Sequence, residues 1–219
     1  MQTDDKSTAI EEIAAVIAHE VKNPLTMVTA NIDILEATDD RHLDKNYALI
    51  RKELKKINDI MLDFIHLTQM RTAENDIVYI TDILNEICFD TKISAPEVEI
   101  EFKYKDNDIC IYASEESIKI LFANIMKNAL EAMDYKGLIK IAVTQVKNKV
   151  KITFADSGKG IDNEISGKIF DKYFTTKPSG SGLGLSICKK IAEDHGGSFS
   201  LENAENGCIA TVILPCIVD

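Results

Sequence analysis

His19 is the candidate nucleophile of the sequence, because the neutral imidazole nitrogen is nucleophilic near pH 7. It stands in the segment HEVKNPL, beside Glu20 and four residues before Asn23. Residues four apart share a helix face, so His19 and Asn23 are expected one turn apart. Pro24 cannot donate to the carbonyl of Glu20, so the helix is expected to bend just past the histidine. A surface histidine without a chemical role is the alternative interpretation.

Two asparagines form a second polar pair. Asn124 and Asn128 are spaced to share one face of a helix that is otherwise rich in Ile, Leu and Met. Inward-facing amides need partners. A hydrated Mg²⁺ held together with phosphate oxygens is one candidate, because Mg²⁺ favours few protein oxygens plus water and substrate. Two amides that only pack helices together are the alternative.

Glycines surround the other candidate residues. All ten lie after residue 136, and eight fall between Gly158 and Gly197. Asp156 is expected to end a strand, and Gly158 and Gly160 follow it. This arrangement suits a carboxylate that binds a ligand at a tight turn. The later segment GSGLGL opens a predicted helix, where backbone N–H groups and the helix dipole favour phosphate. Each glycine motif alone is weak evidence.

An apolar seam runs along a first predicted helix over residues 8–38 and resumes along a second from 43 to 68. Its residues alternate in steps of four and three, as in coiled-coil-like bundles. They are Ala14, Ala18, Val21, Leu25, Val28, Ile32 and Leu35, then Leu43, Tyr47, Ile50, Leu54, Ile57, Met61, Phe64 and Thr68. A hairpin buries such a stripe on one side only, so we expect a dimeric four-helix bundle. A monomeric hairpin packed on a second domain is the alternative.

Beyond the seam, predicted helices and strands are mixed. Helices are expected at about 81–93, 114–134 and 183–195, and strands at 98–104, 109–113, 138–146, 149–155, 198–202 and 208–214. This pattern favours an α/β sandwich with helices on one face of a mostly antiparallel sheet. The fold class is therefore α+β, with a helical hairpin over residues 1–75 and the sandwich over residues 76–219.

Composition excludes several classes of protein. The 219 residues are 45% hydrophobic and 28% charged, as in globular proteins. A net charge of −11 argues against nucleic acid as a partner, since phosphate backbones need a basic surface. The sequence has no run of about 18 uncharged apolar residues, so we expect no membrane-spanning segment. The acidic start disfavours a secretory signal, and five cysteines without a CxxC pair favour reduced thiols in a cytoplasm.

Together, the motifs resemble the catalytic core of a bacterial two-component sensor histidine kinase. AHEVKNPL resembles the H-box, the run from Asn124 to Asn128 the N-box, DSGKG the G1 box, FDKYF the F-box and GSGLGL the G2 box. The resemblance extends from about residue 8 to residue 215. It implies a dimerisation and histidine-phosphotransfer hairpin, followed by an ATP-binding domain of the gyrase-like α/β sandwich type.

The resemblance also implies roles for single residues. His19 would be the phospho-acceptor, with Glu20 as its general base. Asn23 would orient a water toward a partner's phospho-aspartate. Asn128 would ligate Mg²⁺, with Asn124 supporting it.

For ATP, the resemblance implies that Asp156 accepts the adenine amino group. The other nucleotide-binding positions that it implies are Gly158, Gly160, Phe170, Phe174, Lys177, Gly180, Gly182, Leu183 and Gly184. Some relatives have a basic and an aromatic residue after the N-box asparagine, where this sequence has Glu131 and Ala132. The cation that contacts the phosphates therefore stays open between Lys177 and Lys127.

As partners, the resemblance implies a second copy of the chain and the receiver domain of a response regulator, in the cytoplasm. Two alternatives remain. An ATP-hydrolysing relative of the same fold would, by its family pattern, need a glutamate where this sequence has Asn124. A phosphotransfer or scaffold protein with a non-catalytic ATP-binding domain is disfavoured by the intact motifs.

Overall fold

The computed structural model describes residues 21–35, 43–69, 75–104, 109–162, 164–171, 174–177 and 182–217. The chain forms two compact units, one of Met1–Thr68 with Thr175–Ser181, and one of Gln69–Phe174 with Gly182–Asp219. Within the described ranges, no helix combines the length and apolarity needed to cross a membrane. The domain boundary expected between residues 75 and 76 stays a prediction.

The first unit contains two helices, α1 over residues 21–35 and α2 over Leu43–Gln69. Each buries one stripe whose positions alternate by three and four residues, as in helices that pack side by side. The buried and half-buried positions are Val21, Pro24, Val28, Asn31 and Leu35 on α1, and Asn46, Ile50, Glu53, Ile57 and Ile60 on α2. This stripe has the predicted heptad-like spacing and contains five of the predicted seam residues, which are Val21, Val28, Leu35, Ile50 and Ile57.

A second apolar stripe stays exposed on both helices. Leu25 and Ile32 are 52% and 41% exposed on α1. Tyr47, Leu54 and Met61 are 53%, 49% and 40% exposed on α2. Members of this stripe are seven residues apart on each helix. The predicted seam therefore consists of two adjacent stripes, of which a single chain buries one.

The second unit contains seven strands and three helices among its described residues. They are β1 (Asp76–Tyr79), α3 (Ile80–Ser94), β2 (Val98–Tyr104), β3 (Cys110–Ala113), α4 (Glu115–Ala132), β4 (Gly137–Val146), β5 (Lys149–Asp156), α5 (Gly184–Asp194), β6 (Ser198–Asn203) and β7 (Cys208–Pro215). The predicted elements agree with these bounds to within two residues. The sequence prediction missed β1, a four-residue strand that pairs antiparallel with β3.

Five strands form the main sheet in the order β2-β4-β5-β7-β6. Only β2 and β4 pair in parallel, and the other neighbours are antiparallel. Ile141, Phe154 and Ala210 lie in register across the middle strands and are buried. Phe122 of α4 packs on Phe154 with ring centroids 5.6 Å apart. The α+β class and the mostly antiparallel sheet are confirmed.

Helices α4 and α5 are joined at one end by His195. Its Nε2 accepts a hydrogen bond from the backbone N–H of Ser114 at 3.3 Å, and its Nδ1 lies 2.8 Å from the carbonyl oxygen of Ile191. An accepting Nε2 and a carbonyl beside Nδ1 place the ring proton on Nδ1. Ser114 caps α4 through its Oγ, so this imidazole links the end of α5 to the start of α4. The junction positions the two helices that carry the N-box and G2-box residues.

Candidate functional site

Asp156 is the last residue of β5 and is half-buried. Its Oδ1 accepts hydrogen bonds from the backbone N–H groups of Gly158 at 2.8 Å and Cys208 at 3.3 Å. Burial raises the pKa of Asp156, and hydrogen bonds from the backbone N–H groups of Gly158, Cys208 and Asp156 itself oppose that rise. Oδ1 accepts the bonds from Gly158 and Cys208, and acceptance of a ligand's hydrogen bond by Oδ2 stays a prediction.

The turn after Asp156 lies directly on the C-terminal end of α4. A side chain at Gly158 would bring its Cβ within 2.8 Å of the carbonyl oxygen of Ala132, so glycine is required for this close approach. The N–H of Lys159 donates to the same carbonyl at 3.3 Å. Ser157 exchanges hydrogen bonds with Leu138, its N–H donating at 3.1 Å and its Oγ accepting at 3.0 Å. The predicted tight turn is thus fixed to both α4 and β4.

The far end of this turn is held by the β6–β7 hairpin. Asn203 binds Ile161 twice, because its Oδ1 accepts from the backbone N–H and its Nδ2 donates to the carbonyl oxygen, each at 2.7 Å. Gly160 has φ 75°, a left-handed conformation that favours glycine. Gly207 also has positive φ, and a Cβ there would collide with the carbonyl oxygen of Asp156. The hairpin therefore lies against the whole turn.

The structure brings the N-box and G2-box motifs together. Asn124 and Asn128 are half-buried one turn apart on α4. A Cβ at Gly184, where α5 begins, would lie 3.5 Å from Oδ1 of Asn124. Leu183 is buried at 2% exposure and anchors this segment, while the preceding Gly182 adopts φ 67°. Asn124 of the N-box thus lies beside Gly184 of the G2 box.

Phe170 fixes the F-box segment to the domain. Its ring packs edge-on against Phe199 of β6, with centroids 5.8 Å apart, and Nζ of Lys189 lies 5.7 Å from its centroid. Phe174 is half-buried, and its N–H donates to the carbonyl of Asp171 at 3.2 Å. These contacts suit apolar anchors in a polar loop, and direct contact of either phenylalanine with nucleotide stays a prediction.

Several predicted site residues cannot be placed against this region. His19, Glu20 and Gly180 lie outside the described residues. Asn23 is exposed on α1, and Lys177 belongs to the first unit. Their roles stay predictions.

Asn203 and Cys208 are contributors that sequence reasoning missed. They lie 42 and 52 residues along the chain from the groups they bind, Ile161 and Asp156. Gly207 was the one available signal, because a glycine just before a strand marks a close backbone approach.

Comparison with known proteins agrees with this geometry. A family model described as the His Kinase A (phospho-acceptor) domain matches residues 9–73. A second, described as the histidine kinase-, DNA gyrase B- and HSP90-like ATPase, matches residues 113–217. The chain belongs to the sensor histidine kinase family.

Individual histidine kinases resemble the chain over most of its length. Sporulation kinase C of Bacillus subtilis is 31% identical over 214 residues, which cover 96% of this chain and 50% of that protein. The structure of histidine kinase ThkA in complex with response regulator TrrA is 30% identical and matches with a TM-score of 0.80, covering 98% of this chain and 64% of that chain. The isolated catalytic domain of ThkA is 36% identical, with a TM-score of 0.60, over 65% of this chain and 95% of that chain. The chain spans about half or less of the length of the curated relatives it matches.

The residues present fit ATP, the ligand of this ATPase family. Asp156 supplies an acceptor for an exocyclic amino group, and Gly158 leaves backbone where a side chain would block close approach. Asn124 and Asn128 supply amide oxygens, the kind of ligand that Mg²⁺ takes alongside water and phosphate. A carboxylate that can accept from an exocyclic amino group and a metal-compatible amide pair therefore occupy the same domain.

Asp156→Asn is expected to weaken ATP binding by about 1–3 kcal/mol, the range for a hydrogen bond to a charged group. Because burial raises the pKa of Asp156, the ionised carboxylate lowers folding stability as pH rises through that pKa. The amide removes this cost, so the nucleotide-free variant should be at least as stable as wild type at neutral pH. Calorimetric titration with ATP and thermal unfolding measure the two effects.

Asp162→Asn, at an exposed position of the same loop, is the matched control and should bind ATP like wild type. GTP should compete poorly for the wild-type protein, because its keto group offers no donor to Asp156. Equal affinity for ATP and GTP would contradict the role of this carboxylate.

Proposed function

We propose that the chain is an ATP-dependent protein-histidine kinase that phosphorylates His19 and passes the phosphoryl group to an aspartate of a response regulator's receiver domain. The observation that carries the proposal is the half-buried carboxylate of Asp156, held beside a glycine turn in a domain of the ATPase family. The match of the phospho-acceptor domain to residues 9–73 supports His19 as the acceptor. In the ThkA complex the partner is a response regulator, which supports the same class of partner here.

The chemistry follows from the residue types. A neutral imidazole nitrogen of His19 attacks the γ-phosphorus of ATP, and the bond to the ADP oxygen breaks. The other imidazole nitrogen gives up its proton to Glu20, which also favours the reactive tautomer. When bound, Mg²⁺ would neutralise part of the charge on the phosphates. Asn128 would be its protein ligand, and Asn124 would support Asn128.

A receiver-domain aspartate then attacks the phosphorus of phosphohistidine, and the P–N bond breaks. We propose that this reaction takes place in the cytoplasm, and the five cysteines, none of them in a disulfide, support that location.

Two other functions fit the fold less well. An ATP hydrolase needs a base for water near the Mg²⁺ ligand, and the amide of Asn124 is a poor base. A scaffold protein with a non-catalytic ATP-binding domain would not need a carboxylate that accepts from two backbone donors. It would also not need glycine at Gly158 and Gly207, where a side chain would collide with neighbouring backbone.

The exposed stripe on α1 and α2 supports a homodimer. Leu25 and Ile32 on α1, and Leu54 on α2, are large apolar side chains at heptad spacing that one hairpin leaves in water. A second hairpin that covers them completes a four-helix bundle. The proposed active form is therefore a dimer.

The proposal gives Asn23 a role in removing phosphate from the response regulator. Asn23 lies exposed on α1, where its amide could orient a water toward a phospho-aspartate on the docked partner. The structural alternative is that Asn23 merely suits the position before Pro24.

His19→Gln is expected to abolish acid-labile, alkali-stable labelling by γ-labelled ATP while ATP binding stays at the wild-type level. The reason is that the glutamine side chain cannot act as the nucleophile, whereas the nucleotide site lies in the other domain. His66→Gln on α2 is the matched control and should label normally. A labelled His19→Gln protein would contradict the acceptor assignment, and an unlabelled wild type that binds ATP would favour the scaffold function.

Leu54→Glu is expected to convert the dimer into a monomer at micromolar concentration. A dimer interface over Leu54 would have to bury an unpaired carboxylate, which costs several kcal/mol. Light scattering coupled to gel filtration measures the mass. Lys52→Glu, at an exposed position of the same helix outside the stripe, should leave the dimer intact. A monomeric wild type would contradict the bundle.

Asn23→Ala is expected to slow dephosphorylation of the regulator by about tenfold or more, the scale of a lost water-positioning group, while autophosphorylation continues. The measurement follows phosphate loss from a receiver domain that this kinase has labelled. Thr26→Ala is the control on the same helix, because the Thr26 hydroxyl only donates to the carbonyl of Lys22. An unchanged rate for Asn23→Ala would leave the structural alternative.

A further inference from the structure

We infer that Asn203 is a positioning residue for nucleotide recognition, acting through the turn Asp156–Ile161 and through Cys208. This inference rests on the proposed ATP site and adds to it a residue from a distant part of the chain. Asn203 itself lies at the end of β6 and is exposed. It contacts the turn through its side chain.

The two hydrogen bonds of Asn203 form a planar, two-point clamp. Oδ1 accepts from the N–H of Ile161 and Nδ2 donates to its carbonyl oxygen, both at 2.7 Å. One residue is thus held at both of its backbone polar groups, as in a strand pair. Within the described part of the chain, these are the hydrogen bonds that Ile161 makes.

The clamp closes a turn whose other end is already fixed. Ser157 pairs with Leu138 of β4, and Lys159 donates to Ala132 at the end of α4. Gly160, just before the clamp, has φ 75°, and a Cβ there would lie 3.0 Å from Oδ1 of Asn203. Because glycine backbone is conformationally free, the turn beyond Lys159 needs an external partner to keep one conformation. Asn203 supplies that partner.

The same hairpin also holds the carboxylate that reads the ligand. Cys208 is the register partner of Asn203 across β6 and β7, and its N–H donates to Oδ1 of Asp156. The thiol of Cys208 lies 3.6 Å from Oδ1 of Asn203. The short connection is tied by the N–H of Ala204, which donates to the carbonyl of Gly207 at 3.0 Å. A shift of Asn203 would therefore move the hairpin against Asp156 as well as release Ile161.

An amide is the side chain that this geometry demands. A carboxylate at position 203 could still accept from the N–H of Ile161, but it would face the carbonyl oxygen with a second acceptor. Alanine removes both bonds. Since Asn203 is exposed, either substitution removes little apolar packing from the core.

The test compares Asn203→Asp and Asn203→Ala with Asn206→Asp, which introduces the same charge at an exposed position of the same hairpin. Calorimetric titration of the full chain gives Kd for ATP, ADP and adenosine, and labelling gives KM and kcat. Both Asn203 variants should raise Kd for all three ligands by about tenfold, the effect of one to two neutral hydrogen bonds. KM should rise with little change in kcat, and the melting temperature should stay close to that of Asn206→Asp.

A double mutant tests whether Asn203 acts through the carboxylate. In an Asp156→Asn background, Asn203→Ala should weaken ATP binding less than it does in wild type, since coupled residues are not additive. Three outcomes would overturn the inference while the proposed kinase function stands. They are wild-type ATP affinity in both Asn203 variants, a loss of affinity for ATP but not for ADP and adenosine, and full additivity of the two substitutions in the double mutant. A wild-type chain that binds no adenine nucleotide would overturn the proposed function itself. If Asn203→Asp fails to fold, Asn203→Ala alone decides between these outcomes.

Discussion

The two backbone hydrogen bonds to Oδ1 of Asp156 are the interaction on which the proposed nucleotide site depends. Burial of a carboxylate costs free energy because hydration is lost, unless hydrogen-bond donors of the protein replace the water. One donor, Gly158, lies two residues away, and the other, Cys208, comes from a different strand. The carboxylate therefore ties the end of β5, the glycine turn and the start of β7 into one arrangement. Burial raises the pKa of Asp156, and the backbone donors offset part of that effect.

The sheet and two helices keep that arrangement in place. β5 lies in the centre of the five-stranded sheet, paired on both sides, so its C-terminal residue has a fixed position. Helix α4 packs on the buried face through Phe122, carries Asn124 and Asn128 one turn apart, and contacts the turn through its last residue, Ala132. His195 joins α4 to α5, whose first residue is Gly184. Asp156 and Gly184 thus lie at the ends of their elements, whereas Asn124 and Asn128 lie within α4.

Sequence alone predicted the elements of this domain and the motif residues, because periodicity and glycine placement are local signals. It missed β1, since a four-residue strand next to a polar segment has too few residues to show an alternating pattern. It also missed Asn203 and Cys208, whose partners lie 42 and 52 residues away. An asparagine at a strand end indicates only a turn, and its clamp on Ile161 depends on the register of β6 with β7.

The helical hairpin shows a second limit of local patterns. Its seam residues follow one heptad rhythm in sequence, yet the chain divides them into a buried stripe and an exposed one. The buried stripe includes the polar Asn31 and Asn46, at 6% and 8% exposure, whereas the exposed stripe is apolar. The buried stripe also contains apolar residues, among them Val28, Ile50 and Ile60, so each helix has apolar side chains on two adjacent stripes. The side chains of the outer stripe stay in water unless a partner covers them, and buried asparagines are well suited to fix the register of two packed helices.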